Sequence, residues 1–175
     1  IRYARDNKIP FLGIGLGMQL AIVEFARHVA GLEHAHTTEV DKGTPHPVID
    51  RFVGTEPVKE QEQEDLNAHK KRYRLGSYDC HIKDQTKTRN VYQADIVQER
   101  HRNMYEFNLA YKAQLEEHGL VFSASSCGGK FIEVIELPDH PWFIASLFHP
   151  EFKSRPTKPH ALFKGFIDAV VDHRS

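Results

Sequence analysis

Apolar and polar positions fall into blocks along this chain, and the blocks predict most of its elements. Residues 1–7 read as the end of a helix. Pro10-Phe11-Leu12-Gly13-Ile14 is a short apolar run suited to a buried parallel strand. After Gly13, Gly15 and Gly17 the period changes. Met18, Ile22, Phe25, Ala26 and Val29 recur three and four apart, which predicts a helix with one apolar face, ended by Gly31. Residues 54–74 are rich in Glu, Gln, Lys and Asp with few apolar positions, and predict a mobile charged surface loop centred on 54–71. A β-ribbon turning near Gly76 is expected over 73–82, and a helix over 109–118 closed by Gly119. Three strands follow, over 120–125, 131–137 and 143–148, with Gly128-Gly129 as the hairpin turn between the first two. The last helix is expected over 160–171, its core face formed by Leu162, Phe163, Phe166, Ile167 and Val170.

Alternation of strand and helix at the start, then a cluster of strands, indicates an α/β domain with a mainly parallel sheet and an antiparallel portion. The 175 residues suffice for one domain with a sizeable core. A formal net charge of -1 argues against a nucleic-acid surface, which needs a basic excess. The 12 histidines are scattered, with no metal-ligand spacing. Cys80 and Cys127 form no CxxC motif, so a reducing, cytoplasmic setting is the simpler expectation. No apolar run approaches the roughly 20 residues that span a bilayer. The opening Ile1-Arg2-Tyr3-Ala4-Arg5 resembles the inside of a helix, so the chain is expected to be a piece of something longer.

The strand, Gly-x-Gly-x-Gly turn and helix around Gly15 have the pattern of a nucleophile elbow. In such a turn the central side chain stands above the sheet, and amides at the helix N-terminus face a developing oxyanion. The middle position normally carries Ser or Cys; here it carries Gly15, which has nothing to attack with. On local pattern alone, packing glycines or a phosphate loop are alternatives. The segment lacks both the third glycine of a dinucleotide fingerprint and the Lys-Ser/Thr of a P-loop.

Residues 9–19, Ile-Pro-Phe-Leu-Gly-Ile-Gly-Leu-Gly-Met-Gln, resemble the elbow of the class I glutamine amidotransferase domain of CTP synthases, with glycine in place of cysteine. The likeness continues through Phe25-Ala26-Arg27-His28-Val29-Ala30-Gly31-Leu32-Glu33 to Thr38-Glu39. It resumes at Arg74-Leu75-Gly76, at Glu99-Arg100-His101-Arg102 with Tyr105-Glu106 and Asn108, at His140-Pro141-Trp142-Phe143, and at Phe148-His149-Pro150-Glu151-Phe152. It covers nearly the whole chain apart from the charged loop. The resemblance implies a flavodoxin-like fold: a mainly parallel sheet flanked by helices, with a small antiparallel portion. Residues 1–175 would be the amidotransferase domain without its N-terminal strands.

The resemblance also implies roles. A cysteine at position 15 would attack the side-chain amide of L-glutamine, His149 would take the thiol proton and return it to ammonia, and Glu151 would orient the imidazole. Spacing alone leaves His149 and Glu151 open to a plain loop reading, although residues two apart on a strand do face one way. The backbone of Leu16, together with Gln19, Glu39, Met104 and Tyr105, would surround the glutamine. Gln19 and Glu39, taken alone, read equally as a helix N-terminal residue and a solvated acid. The family has arginine where this chain has Met104, so a guanidinium contact to substrate is lost. No metal and no organic cofactor is expected in this domain. ATP and magnesium would belong to a synthase domain of the same polypeptide that aminates UTP, and homo-oligomerisation would run through that domain. No nucleic acid and no membrane partner is expected. Three origins for Gly15 stand open: an engineered replacement, a natural loss, and a modified cysteine written as glycine. A non-catalytic domain that binds glutamine or a partner is the competing functional reading, and a γ-glutamyl hydrolase is a third.

Overall fold

A computed structural model describes residues 1–51 and 73–174. The charged segment expected to be a loop over 54–71 lies outside the described residues. A short helix, α1 (Arg2–Asp6), leads into β1 (Phe11–Ile14) and then α2 (Leu16–His28). Next come β2 (His36–Thr37), β3 (Pro47–Arg51), β4 (Arg74–Ile82), α3 (Lys87–Tyr92), β5 (Ile96–Asn103) and β6 (Tyr105–Phe107). A 3-10 turn runs into α4 (Lys112–Glu117), followed by β7 (Val121–Ser126), β8 (Phe131–Glu136), β9 (Phe143–Ser146) and α5 (Ala161–His173).

The larger sheet has the order β1-β9-β8-β7-β4-β5, and a small sheet has the order β2-β3-β6. β1 and β9 pair in parallel, as do β2 and β3; the other pairings are antiparallel. The antiparallel portion is therefore larger in these residues than the sequence reading implied. Chain connectivity explains it. β7 and β8 are joined by the tight turn through Gly128 and Gly129, and β8 and β9 by a short loop, and neither link is long enough for a parallel crossover.

Alternation along β9 builds two cores. Phe143 and Ala145 face one side, with Met18, Ile22 and Phe25 of α2. Ile144 faces the other, with Trp142, Phe148 and Leu162. Burying side chains of this size stabilises the fold by roughly 1.5–3 kcal/mol each. α1 is tied down by Arg5, which donates two hydrogen bonds to Glu24 of α2 (3.0 and 2.8 Å). The N-terminus of α3 is held by Glu136 of β8, whose carboxylate accepts from the amides of Lys87 (2.8 Å) and Thr88 (2.9 Å).

Three expectations need correction. The ribbon turning near Gly76 is instead one nine-residue strand, β4, which pairs with β5 from Arg74 to His81 and passes straight through Gly76 opposite His101. The 109–118 helix is split into a 3-10 turn (Leu109–Tyr111) and a short α-helix. On α5, Ile167 is 57% exposed and so is not a core residue. The helix lies on Trp142 through Gly165, where a Cβ would come within 2.8 Å of Trp142 Cζ3. That contact turns Leu162, Phe166 and Ala169 inward, and a residue two positions from Gly165 points outward.

Candidate active site

Parallel pairing brings the C-terminal ends of β1 and β9 side by side, the edge at which open α/β sheets place their ligands. Gly15 follows β1 and caps α2 with φ 54° and ψ -110°, a conformation that costs a residue with a side chain about 1–3 kcal/mol. Its amide donates to the carbonyl of Ser146 at the end of β9 (2.8 Å), and its carbonyl accepts from the amides of Met18 (3.0 Å) and Gln19 (3.2 Å). Gly13 is required for close packing, because a Cβ there would lie 2.8 Å from Ala145 Cβ and 2.9 Å from the Gly17 carbonyl carbon. Leu16 opens α2, so its amide has no intrahelical acceptor and is available above the turn.

From the end of β9 the chain runs on to His149, whose amide donates to the carbonyl of Arg100 on β5 (2.9 Å). A Cβ on residue 15 would sit 3.2 Å from His149 Cε1 and 3.4 Å from Nε2. On the far side of the ring, Nδ1 lies 2.7 Å from Glu151 Oε1. A proton on Nδ1, donated to this carboxylate, leaves the Nε2 lone pair facing residue 15, the tautomer a general base needs. Phe152 stacks on the ring at 5.0 Å between centroids. The pairing of His149 with Glu151 does not come from an extended strand, as two-residue spacing suggested. His149 caps a 3-10 turn (Pro150–Phe152), which folds Glu151 back onto the imidazole.

Other candidate residues join through the small sheet. Gln19 is buried on α2 and donates from Nε2 to the carbonyl of Tyr105 (3.2 Å). Its Oε1 is buried without a partner among the described residues. Tyr105 begins β6, and Met104 is the half-buried bend just before it. Glu39 is exposed in the turn after β2, its amide donating to Thr37 Oγ1 (3.2 Å). No hydrogen bond or ion pair joins Glu39 to Gln19, His149 or Glu151 among the described residues.

Sequence reasoning missed the polar cluster beneath this surface. Arg74, 1% exposed, donates to Glu106 (2.7 Å from Nε) and to both oxygens of Glu133 (2.5 and 3.1 Å). His101 Nε2 meets Glu133 at 2.5 Å, Ser126 donates to Glu133, and Asn103 donates to Glu106. Burial alone would raise Glu133, but the bonds from His101 and Arg74 outweigh it and hold the carboxyl at about 2. Glu106 has less help, and burial pushes it up to about 7 against the pull of Arg74. Glu106 adjoins Tyr105, so this cluster anchors the strand that receives Gln19. The available signal was the unbroken polar run Glu99-Arg100-His101-Arg102-Asn103 in β5.

Cys80, His101 and Glu133 bring one potential metal-ligand atom each within 4.8 Å of one another. Glu133 is already held by the Arg74 guanidinium, a cation with which a metal would have to compete, and burial pushes the Cys80 thiol far up, away from the thiolate a metal requires. Among the described residues no helix is long and apolar enough to cross a membrane.

A strand-to-helix elbow facing a histidine–carboxylate pair at the C-terminal edge of the sheet is the layout of a triad hydrolase or amidotransferase. The family model for Glutamine amidotransferase class-I matches residues 1–169, and the chain belongs to that family. It is 53% identical over 171 residues to a CTP synthase of Bacillus subtilis (strain 168), covering 98% of this chain and 30% of that protein. A CTP synthase of Geobacillus kaustophilus (strain HTA426) is 52% identical over 171 residues, with 98% and 31% covered. Among solved structures, a Trypanosoma brucei CTPS glutaminase domain with bound acivicin matches with a TM-score of 0.84 at 33% identity, over 98% of this chain and 63% of that one. The chain thus spans under a third of the length of these curated relatives.

Proposed function

We propose that this chain is the glutaminase domain of a CTP synthase, built to hydrolyse L-glutamine to glutamate and ammonia, and that with glycine at position 15 it lacks the nucleophile. The observation that carries the reading is the 3.4 Å between a Cβ on residue 15 and His149 Nε2, with Glu151 on the opposite ring nitrogen. A cysteine at that position would pass its proton to Nε2 and attack the amide carbon of glutamine. The oxyanion would form beside the amide of Leu16. His149 would return the proton to the departing ammonia, and water would then cleave the thioester. The Oε1 of Gln19, buried and without a partner among the described residues, supports a substrate donor at this place, since such an acceptor left unpaired costs about 1–3 kcal/mol. On this reading ATP and magnesium act in a synthase domain of the same polypeptide, where the ammonia aminates UTP. The setting is cytoplasmic, and assembly into homo-oligomers runs through the synthase domain.

The test is glutamate release by the full-length protein. The Gly15 form should be inactive to within the residual rate of a triad without its nucleophile, on the order of a millionfold below normal. Gly15→Cys should restore turnover, and His149→Ala in that background should remove it. Normal turnover by the Gly15 form would mean that the nucleophile is elsewhere. A second reading, a non-catalytic domain that binds glutamine or a partner, is favoured by Gly15 and Met104 together. It prevails if Gly15→Cys folds and binds glutamine yet releases no glutamate.

A further inference from the structure

Outside this site, a cavity of about 1220 Å³ opens between the end of α3, the start of β5, the 152–160 loop and the first turns of α5. Pockets for small ligands measure roughly 300–1,000 Å³, so the space is ample. We propose that it binds a small organophosphate carrying a hydroxyl or amino group, the phosphate on Arg155, Lys158 and Arg100 and the donor group on Glu99.

The cationic part is built into the loop. Arg155 and Lys158 exchange two backbone hydrogen bonds, from the Arg155 amide to the Lys158 carbonyl (3.2 Å) and back (3.0 Å), across a turn through Pro156 and Thr157. Residues paired in this way project to one side, and like charges directly opposite one another destabilise the pair. Both line the cavity. Neither they nor Arg100, which lines the same space, form an ion pair among the described residues, whereas Lys164 nearby is neutralised by Asp168 at 2.7 Å. Three unneutralised cations match a phosphate monoester, which carries about -1.5 to -2 charges at neutral pH.

Glu99 supplies the second contact. It is 1% exposed and lines the cavity. Its Oε1 accepts from the Tyr92 hydroxyl (3.1 Å) and from His160 Nε2 (3.0 Å), with Lys153 Nζ at 3.4 Å. His160 Nδ1 accepts from the Leu162 amide (3.2 Å), which fixes the proton on Nε2 and makes the ring a donor to Glu99. The other carboxylate oxygen, Oε2, is buried without a partner among the described residues. Buried acceptors are nearly always satisfied, so the free Oε2 calls for a donor that the described residues do not supply. A bare anion offers none; a phosphorylated hydroxy or amino compound offers both groups.

The experiment is hydrogen–deuterium exchange of the full-length protein, following peptides across 88–100 and 153–165, with ribose 5-phosphate and inorganic phosphate as probes at matched ionic strength. Ribose 5-phosphate should protect both segments at a concentration roughly tenfold below that needed for inorganic phosphate, the return from about 1.4 kcal/mol of added contact. The double variant Arg155→Ala/Lys158→Ala should raise the half-saturating concentration of both probes at least about tenfold. Glu99→Gln should abolish the preference for ribose 5-phosphate while keeping the response to inorganic phosphate. Arg155 and Lys158 are exposed, so their variant keeps its fold and decides the matter even if Glu99→Gln does not. Protection unchanged in the double variant, no protection by either probe, or protection by polyglutamate alone would overturn the proposal. Residue 15 takes no part in this readout, so the outcome is separate from that of the glutaminase assay.

Discussion

Replacing Glu106 by glutamine should change how stability depends on pH, in a direction the Arg74 cluster fixes. One guanidinium faces two carboxylates there. Glu133 also receives His101 and Ser126, while among the described residues Glu106 receives only Asn103 in addition. Burial therefore prevails at Glu106, which titrates at about 7 in the folded protein against an ordinary 4.5. Between those values the folded state holds a proton that the unfolded state has released, so the Glu106 contribution to stability is full below pH 4.5 and is lost as pH rises through 7. At about 1.4 kcal/mol per unit over roughly 2.5 units, the loss is on the order of 3 kcal/mol. Glu133 acts in the opposite sense: its contribution is full above pH 4.5 and is lost as pH falls towards 2. Glu106→Gln keeps an acceptor for Arg74 but cannot ionise. Urea unfolding of wild type and variant from pH 4.5 to 8 should show the variant gaining on the wild type by up to about 3 kcal/mol across that range, with contributions common to both cancelling in the difference. A difference that stays constant with pH would refute the assignment of a raised pKa to Glu106.

Two further outcomes test the elbow. Gly13→Ala should destabilise the fold by about 1–3 kcal/mol in urea unfolding, because its Cβ meets backbone at 2.9 Å; Gly17→Ala, whose Cβ meets nothing within 4 Å among the described residues, should change stability by less than about 1 kcal/mol. In the Gly15→Cys background, Glu151→Gln should lower kcat for glutamate release by about 10²-fold. That is less than the roughly 10⁴-fold seen when a buried third member is lost, because the Glu151 side chain is 45% exposed and water can take part of its place.

The contrast between the elements the sequence revealed and those it hid has one physical source. β1, α2, β7, β8 and β9 bury apolar side chains, so their periods of two and 3.6 stand out as hydrophobicity. β5 has an equally strict period of two, but its inward positions are Glu99, His101 and Asn103, with Arg100 and Arg102 outward. Its partner β4 begins with the buried Arg74. A hydropathy pattern cannot register a strand whose core face is charged, and Gly76 in such a run reads as a turn. Those buried charges tolerate burial because they meet one another: Arg74 with Glu106 and Glu133, His101 with Glu133, and Glu99 with Tyr92 and His160. These contacts are long-range, and nothing local in the chain announces them. The elbow was legible for the opposite reason, since its geometry depends on neighbours in sequence: a strand, a residue at φ 54°, and a helix start. His149 and Glu151 were legible as a pair because only one residue separates them, although the 3-10 turn that joins them was not. What sequence could not supply was distance across the sheet. The 3.4 Å from a Cβ at residue 15 to His149 Nε2 spans 134 positions of chain and exists because β1 and β9 lie side by side in parallel.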